Sequence, residues 1–375
     1  MTTSNTPVLW VSGAPGTGKT TAGWGLYRRI ADRGGSVAYV DIDQLGLIGP
    51  PPGGGGASHR IKADNLLRMV ATLRRRGVQQ VLVSGVVDPQ QGIEPYLMHK
   101  TEAAHIDLTH VRLTCEREEL RRRFLGRGSS PEMLTELFDL VDELDRSDTG
   151  SVVDTTGQNP ADTVDTFMAW TTVRTAPVLP LPAAPSDGSF RSALVAVVTG
   201  ATAVGKSTIS WKVLRDLWRR NVVTAYVDLG QLGFVHPGPD PALQAAALRS
   251  LWDGYRRTGA RALLVVAREP ASVVDAVPDD PVTVVHLDAD AATLAARVRR
   301  RADGESALLA GDELRGASPA VQRRVATRAA AEATRLRCVG TDGIILDTSG
   351  QNADETAAAV LDALRSAPGT LLTST

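Results

Sequence analysis

Cysteine is almost absent from this sequence: Cys115 and Cys338 are the only two in 375 residues. That excludes a disulfide scaffold and a cysteine-rich metal site, and it is expected of reduced thiols in a cytoplasmic protein. Long apolar runs are missing too. None approaches the roughly 18 residues of a membrane span, so no membrane partner is expected. The opening stretch MTTSNTPVLWVSG lacks the charged segment and long apolar core of a secretory signal. There is no surplus of positive charge either. Lys and Arg number 41 against 42 Asp and Glu, a formal net charge of −1, which argues against a nucleic-acid partner. The 6 histidines show no metal-ligand spacing. Lysine is scarce: Lys19, Lys62, Lys100, Lys206 and Lys212 stand against an arginine-rich background, so each one retained is informative.

Two of those lysines close the same pattern. Residues 13–20, GAPGTGKT, and 200–207, GATAVGKS, both fit G-x-x-x-x-G-K-[ST]. In such a loop glycines turn the backbone so that N–H groups point at phosphates. The lysine reaches the β/γ oxygens, and Thr or Ser contacts Mg²⁺. The helix that follows presents its positive N-terminus to the same anion. Each copy follows an apolar run, VLWVSG or LVAVVTG. The residues expected to hold nucleotide are Gly13, Gly16, Thr17, Gly18, Lys19, Thr20 and Thr21 in the first copy. In the second they are Gly200, Gly205, Lys206, Ser207 and Thr208.

The repetition extends beyond the loops. YVDIDQLG (39–46) faces YVDLGQLG (226–233) at the loops' own offset, and VDTTGQN (153–159) faces LDTSGQN (346–352) at a slightly longer one. Matched blocks in the same order indicate a tandem duplication. The segment TAPVLPLPAAPSDGS, rich in Pro, Ala and Ser, reads as an extended linker. The expected division is a first domain at 1–174, a linker at 175–191, a second domain at 192–367 and a tail at 368–375. In each repeat short apolar runs alternate with helical patterns, 20–32, 59–76, 116–126, 131–144 and 160–173 in the first. This predicts α/β architecture: two tandem three-layer α/β/α domains with parallel sheets. Trp24 and Trp211, at matched positions after the loops, are expected to pack in the core.

At this point the chain resembles the P-loop small-molecule kinases, such as shikimate, gluconate and adenylylsulfate kinases and chloramphenicol phosphotransferase. The second strand of repeat one ends in DID, Asp41 and Asp43, similar to an acidic pair facing the loop. VRLTCEREELRRRFLGRG looks like a strand leading into a lid helix, with Arg123 and Arg127 as lid arginines. DTTGQ (154–158) resembles the last-strand segment near adenine, with Gly157 and Gln158. The resemblance implies ATP and Mg²⁺ as cofactors, with Thr20 and Asp41 on the metal. It puts Ser84 and Gly85 where such kinases place small substrate-contacting residues. No plain acidic residue ends the third strand, VLVSG. Phosphoryl transfer needs a phosphate cradle, a cation, positive groups near the moving phosphoryl and a carboxylate for the acceptor. Lys19, Thr20, Arg123, Arg127 and the Asp41/Asp43 pair supply these. Two residues apart on a strand, both carboxylates are expected on one side.

Comparing the repeats separates their halves. Asp228 stands for Asp41, Arg297 and Arg301 for Arg123 and Arg127, but Asp43 becomes Gly230, Ser84 becomes Val266 and Gly85 becomes Ala267. The polar segment SHRIKADN (58–65) becomes DPALQAAA (240–247). His59, Arg60, Lys62 and Asn65 are therefore expected to contact a polar, anionic acceptor in repeat one only, with Asp43 as base. The glycine-rich 49–60 stretch reads as a flap or a flexible loop. The leading expectation is an ATP-dependent transfer of phosphate to a hydroxyl of a small polar metabolite. Repeat one would be catalytic and repeat two nucleotide-binding or structural, a pseudo-dimer within one chain. Two alternatives stand beside it: both repeats active on different acceptors, or a regulatory or scaffold ATPase with no acceptor.

Overall fold

Short runs of Val, Leu and Ile without polar alternation need cover on both faces; the inner runs become covered strands, while the edge runs at Ser151–Asp154 and Ile344–Asp347 stay largely exposed. The computed structural model describes residues 5–50, 57–97, 106–147, 150–181, 192–305, 309–339 and 343–366. The glycine-rich 51–56, most of the expected linker (182–191) and the expected tail lie outside them. Repeat one supplies strands β1 (Thr6–Gly13), β2 (Val37–Asp41), β3 (Ile48–Gly49), β4 (Gln80–Ser84), β5 (Ile106–Thr114) and β6 (Ser151–Asp154). Repeat two supplies β7 (Leu194–Gly200), β8 (Thr224–Asp228), β9 (Val235–His236), β10 (Ala262–Val266), β11 (Val282–Asp288) and β12 (Ile344–Asp347). They form two six-stranded sheets, ordered β6-β5-β1-β4-β2-β9 and β12-β11-β7-β10-β8-β3. The order is the same in both. Every pairing is parallel except the last in each sheet.

Those last pairings join the repeats. β3 leaves repeat one and pairs antiparallel with β8, Ile48 opposite Ala225 and Gly49 opposite Thr224. β9 returns the exchange on β2, with Val37 opposite His236 and Ala38 opposite Val235. The flanking bonds match as well: Tyr226 N–H donates to Leu47 O at 2.8 Å, and Tyr39 N–H to Phe234 O at 2.9 Å. Gly49 lies flat on the Trp218 indole, where a Cβ would come within 2.7 Å of the ring.

Strand residues alternate between two cores. Leu9, Val11, Tyr39 and Leu82 meet Leu26, Ile30, Val164 and Phe167 of helices Lys19–Asp32 and Pro160–Met168 on the outer face. Val8, Trp10, Val40 and Val83 turn the other way onto helix Ala57–Arg75. That helix packs on helix Pro241–Arg257 of repeat two. One continuous core thus includes Leu66, Met69 and Val81 together with Leu248, Trp252 and Val265. Trp24 joins the outer aromatic group with Tyr27, Tyr39 and Phe234, whereas its counterpart Trp211 is exposed and only edges Trp218 and Tyr226. Cys115 and Cys338 are free thiols, and among the described residues no helix is long and apolar enough to cross a membrane.

A polar link crosses the same junction. Asp240 caps helix Pro241–Arg257 by accepting from Leu243 N–H at 3.0 Å, and its other oxygen pairs with Arg76 of repeat one at a carboxyl only 9% exposed. Arg76 also holds Leu179, donating from Nη1 at 2.8 Å. Removing the carboxyl takes away a cap and leaves a guanidinium unpaired. Asp240→Ala is therefore expected to destabilise the protein by about 2–4 kcal/mol in urea unfolding, and Asp240→Asn, which keeps the cap, by less. Buried His110 gives a second prediction. Its Nε2 lies 2.6 Å from Ser12 Oγ, and burial, then the Arg112 charge, lower its pKa from 6.5 to about 4. The unfolded chain takes that proton first, so this contribution is complete above pH 6.5 and lost as pH falls towards 4. The loss amounts to about 3 kcal/mol. Urea titrations across pH 7 to 4 should show it, and His110→Gln should flatten it.

Candidate functional site

Both phosphate loops sit at the carboxyl end of a central strand, where open α/β sheets bind ligands. Gly13 and Gly200 both have φ of 137°, and a Cβ on either would strike the carbonyl of Leu113 or Leu287 on the neighbouring strand. Only glycine turns the chain there. Gly18 and Gly205 then start helices Lys19–Asp32 and Lys206–Arg219 without any side-chain cap. The first N–H groups of those helices lack intrahelical acceptors and face the loop. Each loop lysine folds back on its own backbone: Lys19 Nζ donates to Ala14 O at 3.1 Å, and Lys206 Nζ to Gly200 O and Ala201 O at 2.8 and 2.9 Å. Burial lowers both lysines to about 8, against the pull of nearby carboxylates, Asp43 for Lys19 and Glu332 for Lys206. Thr17 is buried and donates to Ala14 O at 2.9 Å; Thr21 is exposed.

The hydroxyl that ends each motif faces the acidic end of the next strand. Ser207 Oγ donates to Asp228 Oδ2 at 3.0 Å, a spacing at which both oxygens could share a cation. In repeat one Thr20 and Ser84 both hydrogen-bond the Tyr39 hydroxyl, and Asp41 lies beside them with its pKa raised to about 6, by burial first and then by Asp43. Among the described residues no three His, Cys, Asp or Glu side chains converge on a metal position. A divalent ion here would need oxygens from a ligand besides Thr20 and Asp41, as Mg²⁺ commonly does.

The strand geometry expected for Asp41 and Asp43 is not what brings them together. β2 ends at Asp41, whose Oδ1 accepts from Asp43 N–H at 3.0 Å and so caps a short 3₁₀ turn, Ile42–Leu45. Asp43 stands on that turn and pairs with Lys62 at 2.6 Å. The Lys62 stem lies across Gly46, and a Cβ on Gly85 would strike Ile42. His59, one turn before Lys62, pairs through Nε2 with Asp88 at 2.9 Å, and burial lowers its pKa despite that carboxylate. Tyr96 completes the wall. It is buried against Trp10, and burial together with the charges of Asp43 and Asp88 raises its pKa. Its hydroxyl and His59 Nδ1 are buried without hydrogen-bond partners.

Several expected acceptor contacts are corrected by this arrangement. Asn65 is buried at the junction, donating to Leu45 O at 2.7 Å and touching Gly254 of repeat two, so it shapes the turn instead of meeting an acceptor. The Ser84 hydroxyl is tied to Tyr39 at 2.6 Å inside the core. Arg60 is exposed and makes none of these contacts. The two remaining basic groups, Lys62 and His59, each face a carboxylate, which removes the ground for an anionic acceptor. Asp88 and Tyr96 were missed because they lie on an irregular loop and a one-turn helix, Glu94–Leu97, that carry no recognisable motif.

The expected lid arginines divide as well. Arg123 is committed to the segment after β6: Nη1 donates to Thr155 Oγ1 at 3.0 Å and Nη2 to Thr155 O at 2.8 Å. Glu119 closes the clamp by binding Arg123 and accepting from Gly157 N–H at 2.8 Å. Arg297 repeats this on Thr348. These arginines hold the last-strand segment to the lid helix and are not available to a moving phosphoryl group. Arg127 instead lies over Phe124 and bonds Ser129, near enough for its charge to act on Lys19. Gln158 is exposed, its amide tied locally to Asp154 O and Thr163. The single proton of the Thr155 hydroxyl is shared between Thr17 O and Thr114 O, 3.1 and 2.9 Å away, tying loop, strand and lid together. Thr155→Val keeps the backbone bond to Thr114 O but takes the hydroxyl from Thr17 O and Arg123, and should cost about 1–3 kcal/mol of stability in urea and weaken nucleotide binding by calorimetry.

No protein-family model and no curated protein matches the chain. Among solved structures, the tunicamycin resistance protein of Deinococcus radiodurans matches at 16% identity and a TM-score of 0.35, covering 46% of this chain and 99% of its own. The APS kinase of Mycobacterium tuberculosis, solved with AMPPNP and APS, matches at 23% identity and 0.31, over 47% and 99%. A gluconokinase from Sinorhizobium meliloti matches at 18% and 0.30, over 44% and 90%. Each is similar to about half of this chain. By its own strand order and loops, the chain carries a P-loop kinase-like fold twice over.

Proposed function

We propose that repeat one transfers the terminal phosphoryl group of ATP to a hydroxyl of a small, polar, uncharged molecule, and that repeat two transfers nothing. The observation that carries this reading is the Asp43–Lys62 pair beside the first phosphate loop, with no counterpart in repeat two. There Gly230 replaces Asp43, and Gln244, in place of Lys62, turns its amide to Leu229 O at 3.2 Å. The first loop would hold the phosphates through its N–H groups and Lys19, and Arg127 would face the end of the phosphate chain. Thr20 and Asp41 would hold Mg²⁺, which when bound neutralises charge on the phosphate oxygens. Asp43, half exposed, would accept the hydroxyl proton, with Lys62 fixing its orientation. His59, Asp88 and Tyr96 supply donors and acceptors without net positive charge, which suits hydroxyl groups better than a carboxylate or sulfate. The names of the matched structures, a gluconokinase, an APS kinase and a resistance protein, are compatible with phosphoryl transfer to small molecules and leave the acceptor open.

The test is incubation of the pure protein with ATP, Mg²⁺ and a metabolite extract, followed by mass spectrometry for a phosphorylated product. Lys19→Ala and Asp43→Asn should each lower turnover by about 10²–10⁴-fold, while Lys206→Ala keeps most of it. Loss of all turnover in a folded Lys206→Ala chain would defeat the division of labour.

A further inference from the structure

The second phosphate loop already carries an anion of its own. Glu332, on helix Pro319–Val339, places one carboxylate oxygen 2.8 Å from Thr202 N–H and 2.9 Å from its hydroxyl. Arg268 pairs with the other oxygen at 3.5 Å, and the carboxyl is only 12% exposed. Thr202 is the third residue of the loop, at its outer end, four positions before Lys206. The first loop cannot be filled this way, because its third residue is Pro15, which has no N–H. A second difference lies on the lid. Arg301 is paired at 3.0 Å with Asp312, a carboxylate 2% exposed, whereas its counterpart Arg127 meets no carboxylate among the described residues.

The inner donors of the second loop are not taken up in this way. Lys206, Ser207 and Thr208 open their helix without a side-chain cap, so their N–H groups have no intrahelical acceptor. Those donors cradle the α- and β-phosphates in loops of this pattern. What is taken up is the outer end of the loop, where Glu332 holds Thr202 and Asp312 holds Arg301. We propose that the second loop is a binding site for nucleoside diphosphates, with Glu332 standing where the third phosphate of a triphosphate would lie. A diphosphate enters without disturbing Glu332. A triphosphate must expel a buried carboxylate and break its bonds to Thr202 and Arg268.

Calorimetric titration of the full-length Lys19→Ala chain, with the first loop disabled, compares ADP with AMPPNP in the presence of Mg²⁺. ADP is expected at one site per chain, at least about tenfold tighter than AMPPNP, as a like-charge juxtaposition demands. Adding Lys206→Ala should abolish that site. Glu332→Gln keeps an acceptor for Thr202 while removing the charge, and should bring the two ligands within about threefold of each other; Glu332→Ala serves the same comparison if the glutamine variant does not fold. Equal affinities in the parent chain, an ADP site indifferent to Lys206, or an unchanged preference once Glu332 is neutral would each overturn the proposal. No acceptor is present in these titrations, so their failure is distinct from a failure of phosphoryl transfer at the first loop.

Discussion

Two residues from each repeat, Ile48–Gly49 and Val235–His236, close the sheet of the other, and most of the molecule's organisation follows from that exchange. An open sheet edge is a liability that proteins cover or pair; here each repeat covers its neighbour's. The exchange also fixes how the inner faces meet. Helices Ala57–Arg75 and Pro241–Arg257 are pressed together, and their apolar residues merge into a single core with both sheets. Neither repeat has a complete inner layer or a closed sheet edge alone. The free energy of burial, about 25 cal/mol for each Å² of apolar surface, is shared in a way that couples the folding of the two halves.

The same exchange reaches the site. The turn that carries Asp43 runs from Asp41 directly into β3, so its far end is pinned by repeat two. Leu45 O is held by Asn65 and Leu47 O by Tyr226 N–H, the first from the junction helix and the second from β8. The position of the Asp43 carboxylate is therefore set by the partner repeat as much as by its own. This gives a physical reason for the second repeat to persist after losing the counterparts of Asp43 and Lys62. A carboxylate half exposed to water, paired with a single lysine, contributes little to stability, so the pair is better understood through placement than through folding energy.

Much of this was readable in the residues. Apolar runs and helical periodicity gave five parallel strands per repeat and the main helices within a few residues, because buried parallel strands and amphipathic helices have strong periods. The two phosphate loops were legible for the same kind of reason, since their glycines are required by φ and by the closeness of Leu113 and Leu287. β3 and β9 were not legible. A strand of two residues has no period, and its partner lies across the duplication. The side-chain clamps escaped for a related reason: Glu119 and Thr155 act across the fold, and Arg123, singled out as a lid arginine, gives no sign in the sequence that its partner is Thr155. Asn65 was misread because a polar residue in a polar segment gives no hint that it faces a carbonyl and a glycine at a buried junction.

The comparison between repeats remains the most informative observation, and the structure changes what it means. Read as sequence, repeat two had lost an acceptor half and kept a nucleotide half. In three dimensions the nucleotide half has changed as well, by gaining charge. Glu332 and Asp312 each bring a carboxylate to a donor, Thr202 or Arg301, whose counterpart in repeat one is a proline, Pro15, or an arginine, Arg127, that meets no carboxylate among the described residues. A buried carboxylate is costly to desolvate unless it is paired and hydrogen-bonded, and both are, so neither is an unsatisfied remnant of drift. Drift would be expected to remove donors or leave them to water. Filling them with well-paired carboxylates instead gives the second loop a fixed occupant at its outer end that the first loop lacks, and the proposed preference for diphosphates rests on that difference.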